Sequence, residues 1–144
     1  MARLRDLIRT ATAAVLSFGL VFASFSNGST AHAATVAFGT VVSADRARVG
    51  SATATVGTTV LSGDTLEADK FGSIQVRAGA ARLLLTSLSQ VTWANEENGA
   101  SATLKNGTAI FSTANAKAFA LRAGTATIRP NSDAATVGSV TILG

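Results

Sequence analysis

The sequence has no cysteine and no tyrosine, and a single proline, histidine, tryptophan and methionine. Without cysteine there is no disulfide framework, no thiolate zinc site, no cysteine nucleophile and no lipidated-cysteine anchor. Charge is scarce too: Asp, Glu, Lys and Arg make up 14% of the chain, against about a quarter in an average globular protein. Disordered polyampholytes and coiled coils both need far more. The 144 residues are filled instead by Ala, Thr, Val, Ser and Gly, and 47% are hydrophobic. Length and composition together predict one β-rich domain.

Residues 1–33 read as a secretory signal peptide. Arg3, Arg5 and Arg9 form a basic start, Ala11 to Phe25 is an uncharged apolar stretch, and Ala31-His32-Ala33 is the small-x-small pattern that signal peptidase accepts. Cleavage is expected between Ala33 and Ala34. The apolar stretch is shorter than the roughly 20 residues of a spanning helix, so no stable membrane anchor is expected after cleavage. The product is expected to be exported, to the periplasm or beyond the cell. Cleavage also removes His32, which excludes a Ser-His-Asp triad and an imidazole metal site from the mature chain.

From Ala34 onward, nine basic residues face seven acidic ones. The basic residues stand singly, with little aromatic interleaving, so the electrostatic footprint of a nucleic-acid binder is missing. Alternation dominates this part. Ile74, Val76 and Ala78 alternate with Ser73, Gln75 and Arg77, Ala126 and Ile128 with Thr125, Thr127 and Arg129, and Val140 and Ile142 with Ser139 and Thr141. Each pattern is that of a half-buried strand. Further strands are expected at residues 36–43, 52–56, 82–85, 91–94, 102–104, 108–112 and 119–122. Glycine-bearing turns separate them, among them Gly63-Asp64, Phe71-Gly72, Ala78-Gly79 and Asn98-Gly99. Asn106-Gly107 has the chemistry of a hairpin turn, because both residues tolerate positive φ and Leu104 and Ile110 flank them.

The order of these elements resembles the FecR domain family. Gly39-Thr40-Val41, Val56-Gly57 with Leu61, Gly63-Asp64-Thr65-Leu66, Gly72 to Val76, Leu83 to Leu85, Ser89 with Val91, Leu104 and Gly107 to Phe111 carry the resemblance, which spans about Ala37 to Arg129. Its most specific element is V-G-x-x-x-L-x-x-G-D-x-L at Val56 to Leu66. The resemblance implies an all-β fold, a short-stranded sandwich or a solenoid-like stack, with Gly63 and Asp64 turning the chain between strands, and it implies no enzymatic activity. Ala78-Gly79-Ala80 departs from the Asp-Gly-Ser usual in the family. Only Met1 to Thr10 precede the apolar stretch, too few for the helical sigma-factor-binding segment of the family's signalling members. The resemblance also implies further chain after Gly144 in many relatives, so the domain of residues 34–144 is expected to be incomplete at its C-terminus. Otherwise the uncharged strand at Ser139 to Ile142 would need covering, by its own domain or by β-edge pairing with a partner.

No residue set rises to a site for chemistry. Asp64, Glu67 and Asp69 lie close together but lack the loop and closing glutamate of a calcium site, so no metal and no cofactor is expected. Glu96 and Glu97, adjacent on an extended chain, point to opposite faces and read as a solvated loop rather than an acid pair. Trp93 shares a strand face with Val91 and reads as core rather than as a sugar-stacking platform; Phe38, Phe71, Phe111 and Phe119 read the same way. The expected function is an exported, non-catalytic module that binds an envelope protein or a glycan or takes part in envelope assembly. The other reading of the resemblance is a membrane-held extracytoplasmic regulator.

Overall fold

The computed structural model describes residues 37–97, 99–114 and 119–143, all within the compact unit Ala34–Gly144. The expected signal peptide, with Ala31, His32, Ala33 and the expected new N-terminal residue Ala34, lies outside the described residues, as does Asn98. The strands are β1 (Ala37–Val49), β2 (Ala52–Thr53), β3 (Thr59–Leu61), β4 (Thr65–Ala78), β5 (Ala81–Leu85), β6 (Ser89–Glu96), β7 (Gly99–Thr113), β8 (Phe119–Ala123), β9 (Ala126–Ile128) and β10 (Thr136–Ile142).

The all-β class stands, but the expected sandwich or solenoid-like stack does not. The pairings form a closed four-strand ring: β4 bonds β5, β5 bonds β7, β7 bonds β6, and β6 returns to β4. The fold is a small closed barrel with the other strands attached at its periphery. Two long strands make the closure possible. Thr65–Ala68 of β4 pair with β6 and Ile74–Ala78 with β5, while β7 meets β6 through residues 99–106 and β5 through residues 109–113. A strand that changes partner along its length must bend, and such bends form the corners of closed β-structures.

The bends fall together. β4 bends at Lys70-Phe71-Gly72, where a Cβ on Gly72 would lie 2.3 Å from the Arg46 carbonyl oxygen. β1, which runs along the other edge of β4, shifts register there, between Asp45 and Ala47. β7 bends at Asn106-Gly107, where φ of Gly107 is 81° and an added Cβ would lie 2.3 Å from Ser89 Oγ. The expected hairpin at Asn106-Gly107 is thereby corrected: left-handed backbone is present at Gly107, but it bends a continuous strand instead of reversing the chain. Expected strands 102–104 and 108–112 are the two arms of β7.

Alternation builds the interior. Ile74, Val76 and Ala78 of β4, Leu83 and Leu85 of β5, Val91 and Trp93 of β6, and Ala109 and Phe111 of β7 are buried. An aromatic row crosses this core, with ring centroids of Phe38 and Trp93 5.4 Å apart, Trp93 and Phe119 6.2 Å, and Phe119 and Phe111 5.4 Å. All three pairs are tilted, the arrangement that aromatic quadrupoles favour. Phe119, Ala120 and Leu121 of β8 are buried consecutively, so β8, laid parallel against β7, is covered on both faces.

Gly57 and Gly107 both have positive φ, but nothing lies within 4 Å of a Cβ built on Gly57. Gly57→Ala is expected to cost about 1 kcal/mol, the backbone penalty alone. Gly107→Ala adds a clash with β6 and should cost about 3 kcal/mol or more. Urea denaturation of both variants checks the difference, and equal losses would place the bend of β7 elsewhere.

Candidate functional site

The bends line up into one crease across β1, β4, the turn between β5 and β6, and β7. Four hydrogen bonds stitch it: Arg46 Nη2 donates to the Phe71 carbonyl at 2.7 Å, Leu88 N to the Asp69 carbonyl at 3.3 Å, Asn106 Nδ2 to the Leu88 carbonyl at 2.8 Å, and Thr108 N to Ser89 Oγ at 2.8 Å. The three described non-glycine residues with positive φ all lie here: Arg46 at 43°, Phe71 at 64° and Leu88 at 56°. Left-handed backbone is uncommon for bulky side chains and costs about 1–3 kcal/mol per residue.

Two of these strained residues put apolar side chains into solvent, Phe71 at 66% and Leu88 at 61% exposure. The expectation that Phe71 belongs to the core is thus corrected. Gly72 takes the interior position at the crossing, and Phe71 lies on the outward face of β4 by the same alternation that buries Leu66, Ala68, Ile74 and Val76. Lys70 Nζ lies 5.2 Å and Arg46 Cζ 6.0 Å from the centroid of that ring, within cation–π range. Beside Leu88 a shallow pocket of about 200 Å³ is lined by Glu67, Asp69, Lys70, Gln90 and Asn106 among others.

A second, larger concavity of about 460 Å³ is lined by Glu96, Phe119, Arg129, Pro130, Asn131 and Asp133, among others. Glu96 is held by Arg122 at 2.7 Å, so it is the end of a strand in an ion pair and not the solvated loop residue expected. Trp93 is fully buried, and its Nε1 has no hydrogen-bond partner among the described residues.

Gly63 and Asp64 occupy the turn between β3 and β4. Leu61 N donates to Asp64 Oδ2 at 2.8 Å, Gly63 N to the Trp93 carbonyl at 2.7 Å, and Trp93 N to the Asp64 carbonyl at 2.9 Å. The turn therefore docks on β6 and acts as a clamp. The acidic trio of the sequence is divided: Asp64 serves this turn, while Arg48 Nη2 takes Glu67 at 3.1 Å and Asp69 at 3.5 Å. These pairs are exposed, and such pairs add little stability. Asn106 and Gly107, expected as a turn, belong to the crease. Sequence reasoning missed Arg46 and Leu88 as special positions; for Phe71 the signal was the alternation of Ile74, Val76 and Ala78, which carried back through Gly72 puts residue 71 on the outward face.

Family models, curated proteins and solved structures yield no match to this chain.

Asp64→Ala is expected to lower stability by about 1 kcal/mol, because the part-buried Leu61 amide loses its acceptor. The midpoint of thermal unfolding checks this, and an unchanged midpoint would show that the backbone contacts to Trp93 hold the turn alone.

Proposed function

We propose that this chain is an exported, non-catalytic binding module that holds an envelope protein through the crease, with Phe71 and Leu88 as the contacting side chains. One observation carries the reading: both residues adopt a backbone conformation that glycine would adopt without strain, and both expose most of their apolar surface. Neither side chain is compensated by burial, and the Phe71 ring meets Lys70 and Arg46 only at the surface. Strain of this kind accumulates where a surface is used. The chemistry fits a protein with an apolar pocket ringed by acceptors, since two apolar side chains beside the Lys70 ammonium resemble the anchor-and-rim pattern of binding hot spots. A glycan would call for a flat aromatic platform with donors and acceptors around it, and the crease offers one ring. The FecR-type spacing at Val56 to Leu66, a likeness in sequence alone, supports a module without chemistry of its own.

The reading separates stability from function. Leu88→Gly is expected to raise stability by about 1 kcal/mol by relieving the backbone. A photo-crosslinking residue placed at Phe71 in the exporting cell is expected to capture one discrete envelope protein, and Leu88→Gly in the same chain to abolish that adduct. The same probe at Val56, 71% exposed and not among the residues that stitch the crease, serves as the control. Loss of stability in Leu88→Gly, or the same adducts from both probe positions, would overturn the reading.

A further inference from the structure

The outer edge of β10 points to a second interaction surface, separate from the crease. β10 pairs with β7 over seven consecutive residues, Thr136↔Thr113 to Ile142↔Gly107, with no bulge. Its sequence, Thr-Val-Gly-Ser-Val-Thr-Ile, contains no charge and no proline. Exposed edges are normally guarded by charges, prolines, bulges or shortness. The other peripheral edges among the described residues are guarded: β2 and β3 span two and three residues, and β9 spans three residues and runs directly into Arg129-Pro130. β10 is long, regular and unguarded, and β7 is its sole described partner.

We infer that β10 pairs antiparallel with β10 of a second copy of this chain, about a two-fold axis at Ser139. The argument for a copy rests on self-complementarity. Full overlap of a strand from Thr136 to Ile142 centres on Ser139, placing Ser139 opposite itself, Val137 opposite Thr141, Gly138 opposite Val140 and Thr136 opposite Ile142. Every cross-strand contact is then uncharged, and two of the pairings join β-branched residues, which suit a sheet. Identical strands usually repel through their charges at such an axis; this one has none to oppose. Val137, 73% exposed, gains a neighbour on the outer face. One strand pair buries less than a standard interface, so the dimer is weak and concentration-dependent.

The absence of cysteine gives a clean test. In the proposed dimer the two Ser139 Cβ atoms lie about 4.5–5.5 Å apart, a small adjustment from the roughly 3.5–4.5 Å of a disulfide. The exported protein carrying Ser139→Cys is expected to form a covalent dimer under mild oxidation, whereas Ser132→Cys, in the exposed segment after Pro130, stays monomeric. Sedimentation of the unmodified protein should show a concentration-dependent monomer–dimer equilibrium, and Ser139→Lys, an exposed change that sets two ammonium groups face to face, should weaken it at least tenfold. Equal cross-linking of the two cysteine variants, or an unmodified protein that stays monomeric at every concentration, would overturn the inference.

Discussion

Where β1 crosses β4, the Arg46 carbonyl oxygen leaves no room for a side chain at position 72, and the closure of the barrel depends on that approach. A sheet closes only if its long strands change direction. β4 does so at Gly72 and β7 at Gly107, and each crossing is too close for a Cβ. The turn between β5 and β6 lies between the two bends and is bonded to both, through Leu88 N to Asp69 and Asn106 Nδ2 to the Leu88 carbonyl. Three strands and one turn are thus fixed by a single line of contacts. The aromatic row from Phe38 to Phe111 fills the space that the closure creates.

The same geometry explains why the surface at the crease has an unusual character. Leu66, Ala68, Gly72, Ile74 and Val76 face the interior, so alternation itself sends residue 71 outward with Asp69 and Ser73. Nothing in the closure requires that side chain to be phenylalanine, or residue 88 to be leucine; asparagine or glycine would suit those backbone angles better. The barrel demands the bends, and the side chains placed on them supply a contact surface. This division of labour, a fixed scaffold presenting a few projecting groups, underlies the proposed binding role.

Much of the local structure was legible in the sequence. β5 and β8 fall almost where short apolar runs and flanking glycines put them, with Gly79 before β5 and Gly124 after β8. The first half of β4 was unreadable because its inward residues are only Leu66 and Ala68, while Glu67 and Asp69 give it the look of a loop; the structure turns both carboxylates toward Arg48. β3, three residues long, is below what periodicity can register. Asn106-Gly107 was misread for a physical reason: a glycine with positive φ serves a hairpin or a bend equally well, and what decides is whether Ser89 and Leu88 lie against it. Closure itself depends on pairing between residues far apart in the chain. Phe71 is different, since the alternation of Ile74 and Val76, carried back through Gly72, already puts it on the outward face.

Hydrogen exchange tests most directly whether the crease holds the barrel together. The amides of Leu88 and Thr108 sit in a turn and at a bend, positions that fray locally in most proteins. If the crease is the structural link between the two halves, both amides open only with the whole domain and share the protection of Val76 and Leu83 in the core strands. Exchange of Leu88 and Thr108 by local opening, while Val76 and Leu83 remain protected, would contradict the account.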